Sequence, residues 1–321
     1  MTTDSSRPFA FVAWLLHAAV AALLVLTAPA PVAGQEADEL IEDIAGPPRV
    51  LLGEGGFIYQ GEGDIDGGGS VEVMRFDVGL LGTAKLSERW RWRNAYFFGV
   101  HGYDFDGAGF GAGDPWDTTL NMRLGSALSY AINDTWGVSA GGIFIFSPET
   151  DADWGDSFTG GGTLGVEYRH SDTLFASLGV AVISQIEDDA TVVPMVGVNW
   201  QPDPLWTLRV GAVPASGGAA AAGELAYRVL EPLEIGLGAI YHQRRFRLDN
   251  SGPARQGVGV DDNLPIRLRL GWDITQHVSL HLLGGVVVAG EVELEDRNGN
   301  RLRKEDYDPA AYVGLRLLGH L

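Results

Sequence analysis

Cysteine is absent from this 321-residue chain. Its absence excludes a disulfide framework, thiolate chemistry and a lipoprotein anchor. Cationic side chains are scarce: 22 Lys and Arg stand against 42 Asp and Glu, for a formal net charge of −20. That balance argues against nucleic acid as a partner and against polybasic attraction to anionic lipid. Long apolar runs are missing after residue 34. The best of them, Leu282 to Gly290, is about half the length that a spanning helix requires. A G-x-S-x-G nucleophile elbow, a zincin motif and a phosphate loop are missing too. The 45 glycines are spread without a fixed period, which disfavours helices and rules out a collagen-like repeat.

The beginning of the chain differs from the rest. Arg7 precedes an apolar run from Phe9 to Leu26, and small residues and prolines follow from Thr27 to Gly34. Charge, apolar segment and small-residue site in that order form the secretory signal pattern, and Val32-Ala33-Gly34 predicts cleavage near Gln35. The alternative is an uncleaved anchor, since the run approaches spanning length. Pro29 and Pro31 end the helix just before the small residues, which favours cleavage. Residues 1–34 are thus read as a signal peptide and the acidic residues 35–49 as a flexible periplasmic segment. Export of this kind fits the envelope of a Gram-negative cell.

From residue 50 to 321 one unit repeats: strand, Gly/Asp-rich loop, strand, very short turn. The short turns are Leu86–Arg89, Ile132–Thr135, His170–Thr173, Gln201–Pro204, Leu230–Pro232 and Ile274–His277, rich in residues that favour turn dihedrals or bond their own backbone. The longer loops are 61–69, 105–117, 148–156, 187–190, 214–219, 249–262 and 295–306. Six turns and seven loops make about fourteen strands with both ends on the short-turn side, the arrangement of an outer-membrane barrel. The strands alternate as a barrel wall must. Ile266, Leu268, Leu270 and Trp272 oppose Arg267, Arg269 and Gly271, and Val313, Leu315, Leu317 and Leu321 oppose Tyr312, Gly314, Arg316 and His320. Nine aromatic residues (Trp90, Trp92, Tyr130, Trp136, Tyr168, Trp200, Trp206, Tyr227 and Trp272) cluster beside the short turns, as an interfacial girdle would. The bland alternative is a set of ordinary core aromatics.

The last strand ends on Leu321 where such barrels commonly carry an aromatic assembly signal; the alternation is kept and the terminal aromatic is not. The segment Tyr307-Asp308-Pro309-Ala310-Ala311-Tyr312-Val313-Gly314-Leu315, with the acidic hairpin before it, resembles a family of uncharacterised bacterial outer-membrane β-barrel proteins, porin-like domains of unknown function. That resemblance implies the barrel fold and brings no activity or site residues.

Charges cannot cheaply face hydrocarbon, so alternation assigns Arg75, Arg91, Arg93, Arg123, Arg209, Arg228, Arg267, Arg269 and Arg316 to the lumen, with Asp77, Glu167, Glu224 and Glu234. Two readings stand level: an arginine-lined path favouring anions, or an internal ion-pair network that holds the barrel shut. The acidic loops are read as solvated surface. Asp296-Arg297-Asn298-Gly299-Asn300 resembles a calcium loop, but Arg301 stands where glycine is needed and Tyr307 where a bidentate Glu is needed. It reads better as a hairpin across Asn298-Gly299. Ser279 and His281 share a strand face, which geometry alone explains.

The expectation is an all-β protein: a single antiparallel up-and-down transmembrane β-barrel of about 14 strands in the cell outer membrane. Its expected role is a porin-like passive channel for small solutes with an anion preference. A closed structural or surface-interaction barrel is the alternative, and a hydrolase the second. No enzyme activity, cofactor or metal is expected. The expected partners are outer-membrane lipid, the barrel-assembly machinery through the C-terminal strand, and small solutes.

Overall fold

The computed structural model describes residues 51–107, 110, 114–216 and 218–320. The signal peptide and the segment 35–49 lie outside them. The chain runs through β1 (Leu51–Asp64), β2 (Ser70–Lys85), β3 (Trp90–Asp106), β4 (Thr118–Ala131), β5 (Trp136–Phe146), β6 (Phe158–Ser171), β7 (Leu174–Gln185) and β8 (Asp188–Trp200). It continues through β9 (Trp206–Ala215), β10 (Gly218–Leu230), β11 (Leu233–Arg247), β12 (Val258–Asp273), β13 (Val278–Glu295), β14 (Arg301–Tyr307) and β15 (Ala310–His320). Consecutive strands from β1 to β14 pair antiparallel, and β1 closes on β15, from Leu52↔His320 to Gln60↔Tyr312.

Fourteen strands form the closed wall, because β14 and β15 share one place in it. The upper part of β13 pairs with β14 and its lower part with β15. The two are parted at Asp308-Pro309, where proline has no N–H to continue a ladder.

Alternation separates two solvents. Leu124, Leu164, Leu178, Leu237, Leu268 and Val313 project outward and are exposed. In water each such side chain forgoes about 1.5–3 kcal/mol of burial. An exposed apolar surface that continues around the whole wall requires an apolar medium. Among the described residues no helix is long and apolar enough to span a membrane; the strands do the facing.

The short-turn end is built by a recurring device. Ser87, Asn133 and Asp203 each accept backbone N–H bonds from the residues two and three positions on, the second being Trp90, Trp136 or Trp206. Short side-chain acceptors of this kind substitute for a backbone turn. Trp90, Trp136 and Trp206 then contact Tyr130, Tyr168 and Tyr227 on the adjacent strand, ring centroids 4.7–4.9 Å apart. Trp92, Trp200 and Trp272 are also exposed on the outer face, so a belt of amphipathic rings encircles this end.

The other end is uneven. Loops of 147–157 and 248–257 rise from it, while β7–β8 and β9–β10 are each separated by only two residues. The loops expected at 187–190 and 214–219 are thus tight hairpins. Strand β12 starts at Val258, inside the stretch 249–262 that reads as loop from sequence. Asp296 accepts N–H bonds from Asn298 and Asn300 and shapes a five-residue turn, so the hairpin across Asn298-Gly299 forms with a longer connection than a two-residue turn.

Candidate functional site

The lumen is where the chain keeps its charge. Arg75, Arg123, Arg267 and Arg269 are buried inside the barrel, and Arg93, Arg209 and Arg316 point inward to acids. Arg91 lies on the inward-facing register of β3, and Arg228 lines the opening at the short-turn end. Seven of the nine arginines read as lumen residues are thus buried or paired inside the barrel.

They are organised into clusters. In the first, Asp261 of β12, 2 % exposed, accepts from Tyr103 Oη at 2.8 Å, Arg75 Nη2 at 3.3 Å, Arg244 Nη1 at 3.4 Å and Asn263 Nδ2 at 3.1 Å. Arg75 also donates to Gln60 Oε1. In the second, Glu224 of β10 accepts from Arg209, Arg267 and Arg269 at 2.7–3.0 Å, and Arg209 and Arg269 also reach Glu234. Buried charges persist only when paired and hydrogen-bonded in this way. A third, smaller group joins Arg93 to Glu167, with Ser129 as a further donor. Asp261, Arg244 and Arg245 went unread in the sequence.

Above these clusters the loop end is capped. Phe110 and Trp116, from the β3–β4 loop, pack into the barrel mouth against Tyr103, Phe105 and Phe246; Trp116 meets Phe246 edge-on at 5.0 Å. From the opposite wall, Arg247 of β11 binds three loops at once. It donates to Asp156 O of the β5–β6 loop, to Gln256 O of the β11–β12 loop, and to Glu187 at the β7–β8 tip. Glu149 of the β5–β6 loop accepts N–H bonds from Asp117 at 3.0 Å and Asp249 at 2.9 Å. Burial outweighs those two bonds and holds its carboxyl above the usual value. Arg245 forms a two-pronged pair with Glu295 and donates to Ile186 O, drawing the β7–β8 tip over the lumen, where Ile186 meets Val258 and Val260.

The short-turn end stays open. A vestibule of about 620 Å³ lies there, lined by Arg209, Arg228, Arg269, Glu231, Glu234, Asp273, Ser279 and His281 among others. Ser279 directs its hydroxyl proton to Asp273 Oδ1 at 2.6 Å, so its one donor is not aimed at the neighbouring histidine as a Ser–His nucleophile requires. A second cavity of about 170 Å³ lies inside the barrel against β3 to β9, with Arg93, Arg123, Ser139, Thr163, Glu167 and Ser177 in its lining beside apolar side chains. Among the described residues no group of three His, Cys, Asp or Glu could hold a metal ion.

A family model for a domain of unknown function, DUF6268, matches residues 117–317, from the residue before β4 into β15. The chain belongs to that family. No curated protein matches the sequence. Among solved structures, the chain is similar to an outer membrane channel from Pseudomonas putida F1, at 10 % identity and a TM-score of 0.48, covering 86 % of this chain and 97 % of that one. It is similar as well to the P. putida toluene transporter TodX, at 9 % identity, TM-score 0.47 and 86 % and 91 % coverage, and to the KdgM porin, at 10 % identity, TM-score 0.32 and 82 % and 97 % coverage. The barrel of this DUF6268 protein rests on its own strand pairings.

Proposed function

We propose that this DUF6268 protein is an outer-membrane channel for small solutes, with its loop end capped in the conformation described and its short-turn end open to the periplasm. The observation that carries the reading is the vestibule: a polar space of about 620 Å³ inside a wall whose outer face is apolar all round. A barrel that served only as a scaffold would have no need of such a space. The girdle beside the short turns supports placement in a bilayer with that end at one interface. Passage requires the cap to move, and Arg247 is the residue whose release would free three loops together. An anion preference is part of the proposal. Arg91 and Arg228 stand at the open end, and among the described residues no ion pair joins either to an acid.

The cap also favours a second reading, a closed barrel without transport. Planar-bilayer recording separates the two. Refolded wild-type protein is expected to show rare current steps and the Arg247→Ala variant frequent ones. Silence from both, with β structure intact by circular dichroism, would reject the channel and leave the closed barrel. Reversal potentials in a salt gradient test selectivity, and a cation preference would overturn the arginine argument.

A further inference from the structure

One seam of the wall is unlike the others. Among the described residues, β8 and β9 pair only from Val196↔Ala212 to Trp200↔Leu208, although β8 continues up to Asp188 and β9 to Ala215. Extending that register by two residues sets Pro194 opposite Pro214. Both keep the pairing on their other side, Val180↔Pro194 and Pro214↔Ala219. What is lost is the shared edge.

The backbone explains why. Gln201 donates its N–H to Thr173 O, so odd-numbered residues of β8 turn their polar groups toward β7 and even-numbered ones toward β9, as strand alternation requires. Leu205 O accepts from Arg228 N, which by the same rule turns the even-numbered residues of β9 toward β8. The two N–H groups that proline removes are therefore the ones that would have joined these strands. A ladder missing both donors at facing positions ends there. Beyond that point Arg245 donates to Ile186 O at 2.8 Å, and Ile186 packs against Val258 and Val260 of β12.

Directly behind the seam lies the cavity of about 170 Å³. Its lining includes Met195, Val196, Val213 and Pro214 from the two edges, with Ile143 and Phe175 behind them. The Arg93–Glu167 pair and Arg123 line another side of it. A dry, apolar cavity of about 150 Å³ is large enough to bind benzene. The outer approach is apolar as well: Val182, Val192 and Leu178 beside the seam are exposed, the last two at 64 % and 66 %.

We propose that the β8–β9 seam is a lateral portal, joining the bilayer to a binding site in this cavity for a small, uncharged, mainly apolar molecule of about benzene size. The proposal rests on the bilayer placement given under the proposed function and is independent of conduction along the barrel axis.

Fluorobenzene is a suitable probe, followed by fluorine NMR on protein folded in vesicles, with folding of every variant checked by gel mobility before and after boiling. Wild type is expected to bind it saturably. Filling the cavity with Ala95→Leu and Ser177→Leu should abolish binding; Met195→Phe fills it from the β8 side if that pair does not fold. Restoring one donor with Pro194→Val, a residue outside the cavity lining, should leave affinity unchanged and slow exchange about fivefold, the factor that one net hydrogen bond adds to an opening barrier. Absence of saturable binding to folded wild type overturns the site. Exchange as fast in the sealed variant as in wild type overturns the portal. Currents recorded on the same preparations keep the axial channel a separate question: loss of currents with binding intact rejects the channel alone.

Discussion

Strands β11–β13 and β1–β3 run for 14–18 residues, whereas β5–β10 run for 10–14. The tall side is filled by the Asp261 cluster and the aromatic packing around Trp116. The low side is lined by Gly125, Gly165, Gly179, Ala127, Ser139 and Thr163, and it holds both the cavity and the broken ladder. The difference shows two ways of satisfying one interior. Paired charges fill space but demand fixed positions, and β11–β13 stay paired along most of their length, with one register shift at Asn263–Pro265. Small side chains fill little space and make few demands, so their strands tolerate a seam.

The sharpest way to break this comparison is to remove the centre of the tall side. Asp261→Ala removes the buried carboxylate that Arg75, Arg244 and Tyr103 share. Leaving a buried ion pair half-made costs about 3–5 kcal/mol, readable as a lowered urea midpoint for the refolded protein. Thr163→Val, its counterpart on the low side, should stay within about 0.5 kcal/mol. Equal losses would end the distinction.

A second change tests whether the two sides are joined. Gly299, in the β13–β14 turn, has φ +76°, and a Cβ there would fall 2.2 Å from Glu187 O at the β7–β8 tip. Gly299→Ala should cost about 1–3 kcal/mol through strain and collision. Hydrogen exchange should quicken in β7–β8 more than in β1–β3. Faster exchange confined to β13–β14 would show that the tip is held by Arg245 and Arg247 alone. At the other end of the barrel the asymmetry should vanish. Asn133→Ala on the low side and Thr275→Ala on the tall side each remove a turn acceptor, and both should cost about 1 kcal/mol or less. A large difference between them would extend the asymmetry through the whole barrel.

How much of this could be read beforehand follows from where alternation exists. Period-two patterning arises only where one face meets lipid and the other the lumen. Strands such as 266–272 and 313–317 obey it. Higher up, Arg244 to Arg247 are buried on both faces, and β12 begins with four buried residues, Val258 to Asp261. There the pattern dissolves, which is why 249–262 reads as loop and Asp261 was invisible. Asp188 and Asp189 read as loop for the opposite reason: charge on a strand that has risen above the apolar band. The seam was half legible. Both prolines stand in plain view in the sequence, but only the register sets them face to face.

The smallest expected effect concerns the cap that spans both sides. Glu149 links the β5–β6 loop to Asp117 and to Asp249, and burial raises its pKa in the closed cap even though both N–H bonds pull the other way. Asp114, in the neighbouring loop, is raised in the same direction, first by burial and then by Asp104, Asp117 and Asp106. The closed state therefore holds these protons more tightly than an open one. Below the ordinary carboxylate value both states are protonated and closure does not depend on pH. Between that value and the raised one, increasing pH removes a proton from the open state first and weakens closure; above both, the dependence ends. Protection of the Asp117 and Asp249 amides, corrected for intrinsic exchange, should thus fall as pH rises from about 4 toward neutrality. Glu149→Gln should flatten most of that fall, leaving the part due to Asp114. Protection that rises with pH would mean the two N–H bonds outweigh burial, and the cap would then be held most firmly with its carboxylate charged.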